Sequence, residues 1–146
     1  MFIKANSLKG RYVLRGGSPI ADGPVGDYLP KGNGRRPRDE RGPIRTSGLA
    51  ATIEITAFAC GDVAFVGVPC ELFTDLGRDI KARSPFRHTI VVTLADGPIG
   101  YVGSRRAMSE GGYEMTSSPL APGGGELIVD TAADVLASLA EPNPIS

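Results

Sequence analysis

The sequence contains one histidine, His88, and only two cysteines, Cys60 and Cys70. With so few nitrogen and sulfur ligands, the chain cannot build a complete zinc site of ordinary composition. Two cysteines are also too few for the disulfide framework of a small secreted domain. A single bridge stays open, because both cysteines lie at predicted strand ends, but two free and packed thiols are the favoured interpretation.

The chain also lacks an excess of either charge, since 16 basic residues balance 16 acidic ones. This balance argues against a nucleic-acid-binding protein, which normally carries a basic excess or patch. No apolar run reaches the ~18 residues that would predict a transmembrane helix, and the first residues do not resemble a signal peptide. We therefore expect a cytoplasmic protein if Met1 is the native start, and a secreted or membrane-associated one if a signal-bearing part precedes it.

Glycine and proline are abundant and unevenly distributed, which divides the chain into three predicted segments. Residues 1–50 form an irregular segment rich in Gly, Pro and Arg, with one weak strand near Tyr12. From residue 16 to residue 48, 13 of 33 residues are Gly or Pro. A structureless run of this length is uncommon inside a compact domain, so it is either disordered or wraps a surface that another chain supplies. Residues 51–140 form an α/β domain portion, and residues 141–146 form a frayed tail.

Hydrophobic periodicity predicts the elements of the folded portion. Residues 52–56 alternate with a period of two, and a turn at residues 60–62 joins them to a second strand at residues 63–68, which completes a hairpin. The apolar run at residues 89–95 is typical of a strand covered on both faces, usually a central parallel one. Helices are predicted at residues 71–83, at residues 104–108 with Ser104 as the N-cap, and at residues 126–140 with one apolar face. Residues 114–125 are a predicted loop. The order β-β-α-β-α-α predicts an α/β fold with a mixed sheet, made of a hairpin plus a buried strand, and flanking helices.

Three side chains beyond the predicted strand ends are candidates for metal binding or catalysis: Glu71, Tyr101 and Tyr113. Glu71 follows one strand and Tyr101 follows the next, and ligands of open α/β sheets gather at the carboxyl ends of strands. A carboxylate at such a place can bind a divalent metal or act as a base. In the alternative interpretation, Glu71 is an acid at a helix amino terminus, stabilised by the helix dipole, and the two tyrosines are aromatic residues that close loops.

Five short motifs around these residues occur in a fixed order. They are V-G-x-P-x-E-L-F ending at Phe73, S-P-F-x-H-T-I-V-V at residues 84–92, L-A-x-G-x-I-G-Y ending at Tyr101, G-G-Y-E around Tyr113, and A-P-G-x-G-E before the last helix. In this order they resemble the carboxyl-terminal part of the catalytic domain of neutral (non-lysosomal) ceramidases and their bacterial relatives. The resemblance extends from about Ile53 to Leu139, so we expect the chain to be a fragment of a larger catalytic domain.

The resemblance implies a hydrolase of sphingolipid metabolism. Neutral ceramidases are zinc amidohydrolases that cleave the N-acyl bond of ceramide with a metal-bound water. By this resemblance, Glu71 and Tyr101 are metal ligands, and Tyr113 is the catalytic residue that donates a hydrogen bond to the oxyanion formed at the amide carbon. Zinc is the implied cofactor, and a ceramide-like N-acyl lipid is the implied substrate.

Two departures from the family pattern limit this prediction. Cys70 stands where the family usually has glycine, and its side chain could crowd the metal or add a thiolate ligand. The upstream region that carries both histidine ligands has no counterpart here, and two oxygen ligands would hold zinc poorly. We therefore expect a partial amidohydrolase that is inactive alone, with a complementing chain or self-association. The alternatives are a non-catalytic α/β module that binds a lipid or a partner, and a cytosolic domain whose motifs are purely structural.

Overall fold

The computed structural model describes residues 3–13, 44–47 and 50–141. In chain order, the strands are β1 (Ile3–Val13), β2 (Ile44–Ser47), β3 (Ala50–Cys60), β4 (Val63–Val68), β5 (Glu71–Leu72), β6 (His88–Thr93) and β7 (Tyr101–Val102). The helices are α1 (Thr74–Arg83), α2 (Arg105–Glu110), α3 (Tyr113–Thr116) and α4 (Gly124–Ala140). None of the helices in these ranges has the length and hydrophobicity of a bilayer-spanning segment.

The main sheet is mixed, with the strand order β1-β3-β4-β6. β3 pairs antiparallel with β1 along its whole length, and it pairs on its other side with β2 and then with β4. The predicted hairpin of β3 and β4 is confirmed, and Gly61 supplies the positive φ of 62° that its tight turn requires. β6 adds to β4 in parallel, so the predicted α/β fold with a mixed sheet is confirmed.

The core lies between one face of this sheet and the helices α1 and α4. Alternate residues of β3 and β4 point into it, as a period of two requires, and Ile53, Ile55 and Val66 are fully buried there. The predicted apolar face of α4 covers them, and the Lys4 side chain on β1 donates a hydrogen bond of 3.2 Å to the Leu139 carbonyl near the end of that helix. Both cysteines are free thiols, as the favoured interpretation has it; Cys70 is buried and Cys60 is half-buried.

The expectation that the apolar strand β6 is covered on both faces is wrong. β6 is the last strand on its side of the described sheet, and Ile90 and Val92 are each 43% exposed. The described helices cover only one face of the sheet. A continuous apolar run therefore shows that β6 is hydrophobic, but it does not show that both faces of the strand are buried.

Three other boundaries differ from the sequence-based expectations. The weak strand expected near Tyr12 is part of the longer β1, and β2 is a further strand inside the described part of the segment 1–50. The first helix begins at Thr74, because residues 71–72 pair with β7 instead of continuing a helix. A one-turn helix, α3, interrupts the predicted loop after Tyr113. The division into segments 1–50, 51–140 and 141–146 stays a prediction.

Two helical glycines provide a matched test of the packing behind β7. A β-carbon at Gly125 in α4 would lie 2.5 Å from the Gly103 carbonyl oxygen, whereas one at Gly77 in α1 would meet no atom within 4 Å. We expect Gly125→Ala to lower the free energy of unfolding by roughly 1–3 kcal/mol, because backbone has to move. We expect Gly77→Ala to raise it by roughly 0.5–1 kcal/mol. Urea unfolding followed by circular dichroism measures both, and equal effects would contradict the close helix–loop contact.

Candidate functional site

Glu71 and Tyr101 are brought together by the short parallel pair of β5 and β7. The two residues are direct register partners in that pair. The Glu71 amide donates a hydrogen bond of 2.9 Å to the Gly100 carbonyl, and the Phe73 amide donates one of 3.0 Å to the Val102 carbonyl. Because register partners project from the same side of a sheet, the carboxylate and the phenol face one common region.

The loop between β6 and β7 is fastened to the segment that carries Glu71. The amides of Leu94, Ala95 and Ile99 donate hydrogen bonds of 3.1, 3.1 and 2.8 Å to the carbonyls of residues 70, 68 and 69. Leu94 and Asp96 adopt positive φ angles of 59° and 58°, which costs non-glycine residues on the order of 1–3 kcal/mol each. The surrounding hydrogen bonds stabilise this unfavourable backbone conformation. They also determine the position of Tyr101, the first residue of β7.

Tyr113 reaches the same region from the start of α3. Gly112 precedes it with a φ of 104°, a conformation that glycine adopts without a steric penalty. The ring centroids of Tyr101 and Tyr113 lie 6.1 Å apart at an interplanar angle of 74°, an edge-to-face contact. Tyr113 is 73% exposed, so its hydroxyl is accessible to a molecule that approaches from solvent. The three candidate side chains therefore lie in one cluster, although their catalytic and ligand roles stay predictions.

The Glu71 carboxylate raises the pKa of Tyr101 above its ordinary value. The negative charge of Glu71 is the main cause, followed by desolvation and by a hydrogen bond between the two side chains. A phenol that donates to a carboxylate loses that bond on ionisation, and its own negative charge would be repelled. Tyr101 is therefore a neutral hydrogen-bond donor toward Glu71 at neutral pH.

Cys70 does not take part in this cluster. Its side chain is fully buried in the hydrophobic core. The next residue in the sequence, Glu71, is exposed. Burial, with a smaller contribution from the Glu71 charge, raises the pKa of the thiol to about 12. The Cys70 side chain therefore lies in the core, and the hypothesis that it crowds the metal or adds a thiolate ligand stays a prediction.

The described residues supply too few ligands for zinc on their own. Within the described ranges, no three His, Cys, Asp or Glu side chains come close enough to hold one metal ion. His88 begins β6, whereas the Tyr101 loop leaves the opposite end of that strand, roughly 16 Å away at 3.3 Å per residue. Glu71 and Tyr101 therefore provide two oxygen donors that fit part of a zinc site, and they do not complete one.

A polar network behind the cluster connects three helices, and sequence patterns predict only its Ser104 cap. The Ser104 hydroxyl caps α2 as predicted, accepting from the Ala107 amide at 3.3 Å. It also donates a hydrogen bond of 2.7 Å to Asp75 at the start of α1. The Arg105 amide donates one of 2.8 Å to Glu126 in the first turn of α4. These bonds hold the chain that leaves Tyr101 against α1 and α4.

Comparison with known proteins gives matches among solved structures only. No protein-family model and no curated protein sequence matches the chain. Among solved structures, neutral ceramidase from Pseudomonas aeruginosa matches with a TM-score of 0.50 and 25% sequence identity, over 65% of this chain and 17% of that chain. A structure described as a ceramidase complexed with C2 matches with a TM-score of 0.59 and 19% identity, over 98% of this chain and 31% of that chain.

These comparisons confirm the predicted resemblance to neutral ceramidases as a partial structural similarity. The chain spans less than a third of the length of either ceramidase chain. It therefore has a ceramidase-like fold and is consistent with a fragment of a larger domain. The similarity at 19% identity concerns the fold alone.

The two thiols allow a direct test of the burial of Cys70. Iodoacetamide at neutral pH should alkylate the half-buried Cys60 and leave the buried Cys70 unmodified, because the thiolate is the reactive species and only Cys60 is accessible. Peptide mass spectrometry of each cysteine measures this. In urea both thiols should react, and rapid modification of Cys70 in the folded protein would contradict its position in the core.

The raised pKa of Cys70 also predicts a loss of stability in alkali. The folded thiol has a pKa of about 12 against a value of 9.0 when exposed, so the unfolded chain loses its proton first. Stability is therefore full below pH 9 and falls, by an amount of the order of a few kcal/mol, as the pH rises toward 12. Chemical unfolding at a series of pH values should show a smaller fall for Cys70→Ala, and an identical pH dependence would contradict the shift.

The contact between Glu71 and Tyr101 is testable by titration. Glu71→Gln should lower the pKa of Tyr101 toward its ordinary value of 10.0, because the main cause of the shift is the carboxylate charge. NMR of tyrosines labelled at the ζ carbon, recorded across the alkaline range, measures this change. The matched control is Glu110→Gln on the exposed side of α2, which should leave the pKa of Tyr101 unchanged. A Tyr101 pKa that does not respond to Glu71→Gln would show that the two groups do not interact.

Proposed function

We propose that this chain is part of a ceramidase-like amidohydrolase that cleaves the N-acyl bond of a ceramide-like lipid. The observation that carries the proposal is the cluster of Glu71, Tyr101 and Tyr113, three groups far apart in sequence that lie together on a ceramidase-like fold. In this proposal the chain is inactive alone, because the histidine ligands of the zinc come from polypeptide outside the residues described here.

Each side chain of the cluster has a separate role in the proposed reaction. Glu71 and Tyr101 would supply two oxygen donors to a zinc ion, which as a Lewis acid would polarise the substrate and its water. The Tyr101 phenol stays protonated next to the Glu71 charge while no metal is bound. The exposed Tyr113 hydroxyl donates a hydrogen bond to the oxygen of the amide carbonyl.

The proposed reaction is the hydrolysis of an amide. Water adds its oxygen to the carbonyl carbon, and the negative charge that develops on the carbonyl oxygen is stabilised by the Tyr113 hydroxyl. The carbon–nitrogen bond then breaks, the amine leaves with a proton from water, and the acyl group leaves as a carboxylic acid. The hydrogen bond from Tyr113 strengthens as this charge develops, so the loss of Tyr113 should slow the reaction more than it weakens substrate binding.

A second candidate function is a non-catalytic module that binds a partner. The observation that favours it is the exposed apolar face of the sheet, where Ile90 and Val92 are 43% exposed and Phe58 is 45% exposed. The two candidates differ in one respect. The catalytic proposal requires Glu71 and Tyr113 for activity, whereas a binding module would be indifferent to both.

A chimera tests the catalytic proposal. Residues 53–139 of this chain would replace the matching segment of the Pseudomonas aeruginosa neutral ceramidase, so that the missing ligands are supplied in the same polypeptide. We expect the chimera to hydrolyse a fluorescent N-acyl-sphingosine, and we expect the isolated chain not to. In the chimera, Glu71→Gln should lose bound zinc, measured by mass spectrometry of the metal, together with activity.

The tyrosine variant separates the roles within the chimera. Tyr113→Phe should retain zinc and lose roughly 10²–10³-fold in kcat, the usual effect of removing one oxyanion donor. Glu110→Gln, an exposed carboxylate three residues before Tyr113, is the matched control and should retain both zinc and activity. A chimera with bound zinc that keeps full activity after Glu71→Gln or Tyr113→Phe would contradict the proposal.

A further inference from the structure

One face of the main sheet exposes a group of apolar side chains, which we name the outer face: Ile3, Phe58, Phe65, Ile90 and Val92. Strand pairing places them on one side, since Phe58 is opposite Phe65, Phe65 is opposite Ile90, and Val92 is opposite Gly67. Ile3 is 69% exposed, Phe58 is 45% exposed, and the two residues on β6 are each 43% exposed. The other side of the same strands forms the buried core.

The centre of the outer face is apolar. The rings of Phe58 and Phe65 stack face to face, with centroids 4.6 Å apart and an interplanar angle of 11°, so they form one aromatic contact across β3 and β4. Ile90 continues this surface onto β6. The carboxylate of Glu54 projects from this side of β3 farther along the strand, where it accepts a hydrogen bond of 2.6 Å from Ser7. An exposed apolar surface with polar groups at its margin is typical of a face that another layer of protein covers.

One end of the outer face lies toward the segment that carries Glu71. β4 and β6 both run toward the segment that carries Glu71, and the amides of Leu94 and Ala95 bond to the carbonyls of Cys70 and Val68 there. Past the end of β6, Leu94 is 49% exposed, and the Asp96 carboxylate accepts a hydrogen bond of 3.2 Å from the Thr56 hydroxyl on β3, so this margin of the outer face also carries a polar group. A polypeptide layer on the outer face would therefore end close to Glu71 and could place its own side chains next to it.

We propose that the outer face binds the polypeptide that completes the active site, through an apolar surface that this polypeptide presents. This inference rests on the proposed function and names its partner. It is supported by the extent of the structural similarity, because 98% of this chain matches only 31% of a ceramidase chain. Most of that ceramidase has no counterpart here, so a protein of this fold has further polypeptide available to cover the exposed side of the sheet.

A binding experiment with a defined partner tests the proposal. The probe is the Pseudomonas aeruginosa neutral ceramidase polypeptide from which the segment matched by this chain has been removed, co-expressed with the full 146-residue chain. We expect a 1:1 complex in size-exclusion chromatography with light scattering. Phe58→Lys combined with Ile90→Lys should weaken the complex by at least about tenfold, because both residues would lie in the centre of the interface.

Two further variants control this test. Leu127→Lys places the same charge at an exposed apolar residue of α4, away from the outer face, and should change binding less than about twofold. If the lysine pair does not fold, as judged by circular dichroism, Ile90→Thr combined with Val92→Thr keeps β-branched residues in the strand and should weaken the complex in the same direction.

The outcomes separate the partner surface from the catalytic proposal. Absence of a complex, a complex that is indifferent to the outer-face variants, or a stable dimer of this chain through the outer face that excludes the probe would overturn the inference. Hydrolysis of N-acyl-sphingosine by a complex that contains the lysine pair would also overturn it, while supporting the proposed function. A complex that is lost with the lysine pair, that survives Glu71→Gln and that never hydrolyses the substrate would support the inference and refute the catalytic proposal.

Discussion

The parallel pairing of β5 with β7 is the constraint on which the rest of the site depends. Two backbone hydrogen bonds, from the Glu71 and Phe73 amides, join segments that are 30 residues apart in sequence. They place the Glu71 carboxylate beside the Tyr101 phenol, and the edge-to-face contact then brings Tyr113 to the same place. Without this short pairing, the acid and the two phenols would belong to separate loops.

The helix layer supports that pairing from behind. Gly125 in α4 allows close contact with the Gly103 carbonyl just after β7, and Ser104 bonds to Asp75 at the start of α1. The elements that carry the cluster are thus held by the same helices that bury the core side of the sheet. The opposite side of the sheet stays apolar and exposed, so the described structure is well packed on one face only.

Local patterns predicted the elements that depend on local chemistry, and they failed where distant contacts decide. The β3–β4 hairpin, the Ser104 cap and the apolar face of α4 follow from turn residues, capping and periodicity. The burial of β6 depends on which layers exist above and below the sheet, and hydrophobicity alone does not report this. The two-residue strand at Glu71 forms because its partner strand lies 30 residues later in the chain. The local helical pattern does not show this pairing, so the predicted helix began at residue 71, whereas the observed one begins at Thr74. The side-chain cluster was predicted from the strand-end rule and from the ceramidase resemblance together, and neither specified the ring contact of Tyr101 with Tyr113.

The convergence of Glu71, Tyr101 and Tyr113 is the central claim, and nuclear Overhauser effects measure it most directly. The protein would carry labelled tyrosine and glutamate against a deuterated background. The account predicts cross-peaks between the rings of Tyr101 and Tyr113, and between the Tyr101 ring and the side-chain protons of Glu71. Cross-peaks from Tyr101 to Glu71 and to Tyr113 that are both missing from a spectrum in which the three residues are assigned and ordered would contradict it.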